Sequence, residues 1–221
     1  VYRELHAYAK SPENFAPEVR AAIAATPTSF ARLAQQMRWA EVEFISDKPG
    51  KNDNRIRLGG GGQTSSALAR LVQGAQQRVV IQSPYLVASD EALALFGEVR
   101  ARGVGVRIST NSLASTDNLP AFSGYRNQRD RLLDMGLQIF EYRPAPKVQQ
   151  QLVQRLGAAQ RSAPVFALHA KTLVVDGKTV YIGTFNFDPR SQNLNTEVGV
   201  VIHDEALARA VEASIETDMA P

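Results

Sequence analysis

Cysteine is absent from the 221 residues, which excludes a disulfide framework, a Cys-ligated zinc and a thiol nucleophile while leaving the compartment open. Long apolar runs are missing too. Candidates such as Val198–Ile202 are strand-sized, well short of the ~18 residues that a membrane-spanning helix needs. Neither sign of charge prevails, with 25 basic against 22 acidic residues and a net charge of +3. Apolar residues are not scarce enough for disorder: 44% of the chain is hydrophobic and 21% charged, the balance of a globular domain. The length fits one domain with room for an appendage. The chain starts at Val1 without methionine and with no charged-then-apolar signal, so it is expected to be a fragment of a longer protein.

The distribution of charge says more than its total. Ten basic residues and four acidic ones lie between Arg100 and Arg161, whereas after Phe185 two arginines face seven carboxylates. A basic middle suits an anionic partner such as phosphate, nucleic acid or an acidic membrane surface, although a solvated face has the same composition.

The first forty residues read as a helical lead-in, with Pro17 opening Glu18–Ala25 and Ser29 capping Phe30–Trp39. Strands are expected at Glu41–Ser46, Arg55–Leu58, Val79–Gln82, Val104–Thr110, Leu137–Tyr142, Val165–Val175, Thr179–Gly183 and Thr196–His203. Helices fall between them, from Thr64 or Ser65 to Gln76, Ser89 to Ala101, Tyr125 to Met135 and Glu205 to Glu216. Pro144–Pro164 is a long connection with an apolar stripe at Val148, Leu152 and Leu156. Strand–helix alternation followed by a hairpin argues for an α/β domain with a mixed sheet over residues 41–221, preceded by a lead-in over 1–40.

Two glycine-rich segments imitate a phosphate loop and fail. Gly59–Gly62 has no Gly-Lys-Ser/Thr after it, and Gly177-Lys178-Thr179 sits in a hairpin with Thr172 where a loop glycine belongs. The chemistry gathers instead between Leu168 and Val200, in His169-Ala170-Lys171, Asp176, Gly183-Thr184-Phe185-Asn186 and Glu197. On a strand His169 and Lys171 share a face, and Thr184 and Asn186 do likewise. A hairpin would then join an ammonium, a hydroxyl and an amide into a phosphate site, with His169 left for covalent or proton chemistry. Asp176 falls off that face and forms Asp-Gly, a hairpin turn signal, so it is read as structural. Gly183 is read as structural as well, admitting a close approach. No carboxylate cluster suggests a metal, and no cofactor is expected.

These residues resemble the phospholipase D superfamily signature His-x-Lys-x4-Asp-x6-Gly-Ser/Thr-x-Asn, complete here with Thr184 in the Ser/Thr slot. The flanking Phe185–Ser191 and Leu194–Gly199 look like bacterial cardiolipin synthases, the C type in particular. The resemblance implies a phospholipase D-like fold, a mixed sheet flanked by helices. It also implies phosphatidyl transfer, most simply cardiolipin synthesis, through a phosphohistidine. His169, Lys171, Asn186 and Glu197 would be catalytic, Lys171, Thr184 and Asn186 would bind phosphate, and Glu197 would orient the His169 ring.

Such enzymes bring two copies of the motif together, and this chain has one: His6 is followed by Tyr8 and His203 by Glu205 at the lysine spacing. His6 is read as a surface helix residue and His203 as a strand end. The expected partners are therefore an anionic phospholipid substrate, a missing N-terminal catalytic half or a second copy of the chain, and a membrane surface contacted peripherally. The location implied is the cytoplasmic face of the bacterial inner membrane, and the chain alone is expected to be inactive. Two other readings stand beside this one: a phospholipase D-family nuclease, under which nucleic acid is the partner, and a non-enzymatic half-domain kept for assembly.

Overall fold

The computed structural model describes residues 1–11, 16–35, 37–51, 62–144 and 166–220. The expected Arg55–Leu58 strand and the Val148/Leu152/Leu156 stripe lie outside them. The chain divides into two compact units, one of Val1–Trp39 with Pro144–Phe166 and one of Ala40–Arg143 with Ala167–Pro221.

In the first unit, helix α1 spans Tyr2–Lys10 and α2 spans Pro17–Gln35. Two helices were expected where α2 runs unbroken through Pro27. Proline removes one backbone donor from a helix interior. Around it the hydroxyls of Thr26, Thr28 and Ser29 donate to the carbonyls of Ala22 and Ala25 at 2.8–3.0 Å, so Ser29 serves inside the helix rather than as a cap.

The second unit is built on one seven-stranded mixed sheet. Its elements are β1 (Val42–Ser46), α3 (Gln63–Gly74), β2 (Arg78–Gln82), α4 (Asp90–Ala101), β3 (Gly105–Asn111), α5 (Leu119–Asp134), β4 (Gln138–Tyr142), β5 (Thr172–Val175), β6 (Thr179–Gly183), α6 (Pro189–Asn193), β7 (Val198–Ile202) and α7 (Glu205–Met219). The spatial order is β1-β7-β6-β5-β2-β3-β4, with β2, β3 and β4 parallel and every other pairing antiparallel. Helix α5 begins at Leu119 rather than Tyr125, because Asn118 caps it by accepting from the Ala121 N–H (3.1 Å) and Pro120 sits in its first turn.

Two apolar layers sandwich the sheet. Leu68 and Val72 of α3, Phe96 and Val99 of α4, and Tyr125 and Leu132 of α5 join Val79, Ile81, Ile108 and Leu173 on one side. On the other, Ala208, Ile215 and Met219 of α7 cover Val80, Val174 and Val180. Arg78 pairs with Glu212, and Arg107 with Glu216, tying the sheet to α7.

The β5–β6 turn has Asp176 and Gly177 at φ 54° and 64°, closed by the Lys178 N–H to the Val175 carbonyl (2.9 Å). Two successive positive φ values are the demand that Asp-Gly meets. The Asp176 carboxylate reaches back to the start of β2, accepting the N–H groups of Gln76, Gln77 and Arg78 at 2.8–2.9 Å. Partial burial acts to raise its pKa, but those three amides and Lys178 hold the carboxyl below its ordinary range.

Replacing Asp176 with alanine should lower the unfolding free energy by about 2 kcal/mol at neutral pH, the scale of hydrogen bonds to a charged group. Asp176→Asn, keeping one acceptor oxygen, should lose less. Because the folded-state pKa is depressed, the contribution is present above the unfolded value and is lost as pH falls through the folded one. Urea titrations should therefore show the gap between wild type and Asp176→Ala closing in acid.

Candidate active site

His169, Lys171, Thr184, Asn186 and Glu197 lie at one end of the sheet, where β2, β3, β4 and β6 finish and β5 and β7 begin, and Asp176 lies at the other. Ligands favour the carboxyl ends of strands in open α/β sheets. Two side chains at those ends anchor the segments that carry the chemistry. The Asn111 carboxamide copies a strand pairing, donating to the Leu168 carbonyl (2.9 Å) and accepting the Leu168 N–H (2.8 Å) immediately before His169. The Ser83 hydroxyl donates to the Tyr85 carbonyl (2.7 Å) and accepts the Phe187 N–H (3.1 Å) immediately after Asn186.

The strand expected from Val165 begins only at Thr172, so His169 and Lys171 lie in an extended lead outside the ladder. The His169 ring is exposed to solvent. Lys171 is half-buried, with its Nζ donating to the His169 carbonyl (2.9 Å). Thr172 is paired with Ile182, and the Gly183 N–H donates to the Lys171 carbonyl (3.1 Å). By the pleat, Lys171 then follows Leu173 to one face while Thr184 follows Ile182 to the other. Strand alternation alone would therefore separate the two.

Thr184 and Glu197 are in direct contact. The Thr184 hydroxyl donates to the Glu197 carboxylate and accepts the Val198 N–H (3.0 Å). Glu197 is 4% exposed. The hydrogen bond expected between Glu197 and the His169 ring is not formed, because the carboxylate is turned to Thr184 while the ring stands in solvent ahead of β5. Asn186 donates its N–H to Ser191 Oγ (3.1 Å), and its buried side-chain oxygen has no hydrogen-bond partner. Asp188 caps α6, accepting the Ser191 N–H (2.8 Å) with Pro189 in the first turn.

Gly183 is paired across the strands with Gly199, and the Tyr181 ring lies over both: a Cβ on Gly183 would stand 2.2 Å from the Tyr181 hydroxyl oxygen and 2.5 Å from the Val198 carbonyl oxygen. Burial pushes the Tyr181 hydroxyl up to about 12. The close approach read from Gly183 is thus made by the protein's own aromatic ring.

A buried ion pair unread in the sequence holds the site together. Asp47 accepts the N–H of Thr64 (2.9 Å) and of Glu197 (3.0 Å), while its own N–H donates to the Glu197 carbonyl (2.8 Å). Lys51 donates to Asp47 (2.7 Å) and to the Ser191 carbonyl (2.5 Å). Their side chains are 3% and 0% exposed for Lys51 and Asp47. Burial acts to raise the Asp47 pKa, yet the Lys51 ammonium and the two amides outweigh it and hold the carboxyl low. Only the i,i+4 spacing of Asp47 and Lys51 in a polar loop was visible beforehand.

Desolvation lowers the Lys171 pKa, against the opposing pull of Glu197, Asp117 and Asp188. Burial raises the Asp188 carboxyl. The Tyr85 hydroxyl donates to Asp117 (3.0 Å), and burial with that carboxylate raises it. The sheet end thus carries one ammonium under the pull of three carboxylates, an exposed histidine and the Asn186 carboxamide, a set suited to a phosphate diester. Among the described residues no cluster of three or more His, Cys, Asp or Glu could hold a metal ion. His6 lies exposed in α1, stacked on Tyr2, and His203 Nδ1 is 3.1 Å from the Thr179 hydroxyl at the opposite end of the sheet.

Comparison with known proteins agrees with the fold. Residues 68–219 match the family described as cardiolipin synthase, PLD-like domain. The chain is 36% identical over 174 residues to cardiolipin synthase C of Escherichia coli, covering 79% of this chain and 36% of that one. It is 31% identical over 150 residues to cardiolipin synthase A of Pseudomonas aeruginosa, covering 68% and 26%. It therefore spans about a third or less of the length of these relatives. Among solved structures, the phospholipase D family member Nuc from Salmonella typhimurium superimposes with a TM-score of 0.54 at 16% identity, covering 80% of this chain and 94% of that one. Phosphatidylserine synthase from Haemophilus influenzae gives 0.51 at 15% identity, covering 81% and 37%.

Lys51→Met should destabilise the protein by about 3–5 kcal/mol in urea titrations, since it leaves a buried carboxylate without its cation. Removing both charges in Asp47→Asn/Lys51→Met should recover part of that loss.

Proposed function

The chain belongs to the phospholipase D-like family of cardiolipin synthase domains, and from that premise we propose that it is one catalytic half of a phosphatidyltransferase acting on phospholipid phosphodiesters, most simply in cardiolipin synthesis. The observation that supports the reading is the complete signature, with Lys171, bonded to the His169 carbonyl, and Thr184, bonded to Glu197, at the sheet end that carries an exposed His169. In this reading Lys171 neutralises the phosphate and the Asn186 carboxamide donates a hydrogen bond to it, while Thr184, its proton held by Glu197, fixes the segment that carries Asn186. A second imidazole, from an N-terminal half or a second copy, attacks phosphorus to form a phosphohistidine. His169 donates a proton to the departing alkoxide and then takes one from the acceptor hydroxyl. An exposed His169 ring suits a site that another half closes.

A peripheral position at the cytoplasmic membrane face belongs to the same proposal; among the described residues no helix is long and apolar enough to cross a membrane. The nuclease reading draws less support, because four of the ten basic residues of the middle stretch are engaged within the protein. Arg107 pairs with Glu216 and Arg129 with Glu141, while Arg100 and Arg102 donate to backbone carbonyls. Three carboxylates around Lys171 further oppose a polyanion. A half-domain kept for assembly alone would have no use for this intact donor set.

The isolated chain should turn over phosphatidylglycerol at least ~100-fold more slowly than a protein carrying both motifs, the scale of one lost acid–base group. Should turnover follow dimer formation, adding His169→Asn chains to wild type should depress activity beyond simple dilution, the mark of a shared site. Full turnover by a monomer would refute the half-site reading.

A further inference from the structure

An apolar cavity of about 130 Å³ lies between α3 and α4. Leu68 and Val72 of α3 face Ala92 and Leu95 of α4 across it, and Phe185 and Phe187 also line it. Phe187 is braced by Phe96 and by an edge-on Phe185 (ring centroids 6.5 and 5.8 Å). The lining is mostly apolar, with Ser65, Ser89, Glu91, Asp188 and Gln192 its polar members, so it favours a hydrocarbon over a sugar or a phosphate. The volume is close to that of the ~150 Å³ apolar cavity known to take up benzene, hence room for a few methylenes rather than a whole chain.

Its position ties it to the catalytic end. Phe185 and Phe187 flank Asn186 in the chain, so one short segment lines the cavity and carries the phosphate donor. Asp188 lines the cavity and also acts electrostatically on Lys171 and Tyr85. The cavity and the phosphate donor therefore share one segment of the chain, Phe185 to Asp188. Glu91 and Asp188 among the lining groups disfavour a polynucleotide or a free fatty carboxylate, leaving an uncharged chain joined through an ester.

We propose that this cavity receives the glycerol-proximal methylenes of one acyl chain of the phospholipid substrate, making it the site where a diacyl substrate is told from a bare phosphodiester. The inference rests on the lipid reading of the active site.

Calorimetric titration of the 221-residue chain with soluble dihexanoyl-phosphatidylglycerol and with deacylated glycerophosphoglycerol tests it. Wild type should bind the acylated ligand at least tenfold more tightly. Ala92→Phe, which fills the cavity, should bring that ratio to near one, and Leu95→Ala, which widens it, should preserve a large ratio. A ratio that survives Ala92→Phe in a cooperatively melting protein overturns the proposal. Equal binding of both ligands by wild type overturns it while leaving the phosphodiester reading standing. Binding of neither ligand, or binding indifferent to Lys171→Ala, overturns both. A diazirine placed near the glycerol end of the acyl chain gives a readout independent of the filled variant. Irradiation should label peptides of α3 or α4, and labelling confined to other segments counts against the cavity.

Discussion

Asp47 is the group on which the geometry of the site depends. Its carboxylate gathers the amide of Thr64 at the start of α3, the amide of Glu197 before β7 and the ammonium of Lys51, which in turn holds the Ser191 carbonyl in α6. Ser191 receives the Asn186 N–H, so the ion pair is two hydrogen bonds from the phosphate donor on one side and one from Glu197 on the other. Gly62 at the cap of α3 is part of the same constraint, because a Cβ there would stand 2.2 Å from an Asp47 oxygen. A buried charge is tolerated only when its partners are complete, and here completing them places Glu197 and Asn186.

That arrangement gives the site a character beyond its charge count. Lys171 is desolvated, which weakens its hold on a proton, while Glu197, Asp117 and Asp188 pull the other way. Under the proposed reading, an ammonium so balanced accepts one phosphate without drawing in a long polyanion, which depends on many uncompensated cations. In that reading the carboxylates bear on substrate choice as the lysine does, and Asp188 also caps α6.

The alternation of strands and helices was legible because apolar periodicity is local, and so was the motif, whose spacing is a property of one hairpin. What escaped reading depended on distant or competing contacts. The start of α5 was obscured because Asn118, Leu119 and Pro120 look like loop residues until Asn118 is seen to cap Ala121. The helix through Pro27 was read as broken because proline is a breaker when hydroxyls do not satisfy neighbouring carbonyls. Asp47 and Lys51 carry no local signal of burial, since Asp47 takes the amide of Glu197, 150 residues along the chain. The period-two argument for His169 assumed a ladder that starts only at Thr172.

The spacing of the signature then has a mechanical meaning. The four residues between Lys171 and Asp176 are β5 itself, and the six between Asp176 and Gly183 are the rest of the turn together with β6. Asp176 therefore marks the far end of a hairpin whose near end carries Lys171 and Thr184. By seizing the amides of Gln76, Gln77 and Arg78, it fixes that hairpin in register against β2. A one-residue slip would turn every side chain of β5 to the other face, exchanging Leu173 of one core layer with Val174 of the other. Both apolar layers resist that exchange. Asp176 can thus be indispensable to the end of the sheet that carries Lys171 and Thr184 without approaching it, because the distance between them is set by strands whose register it locks.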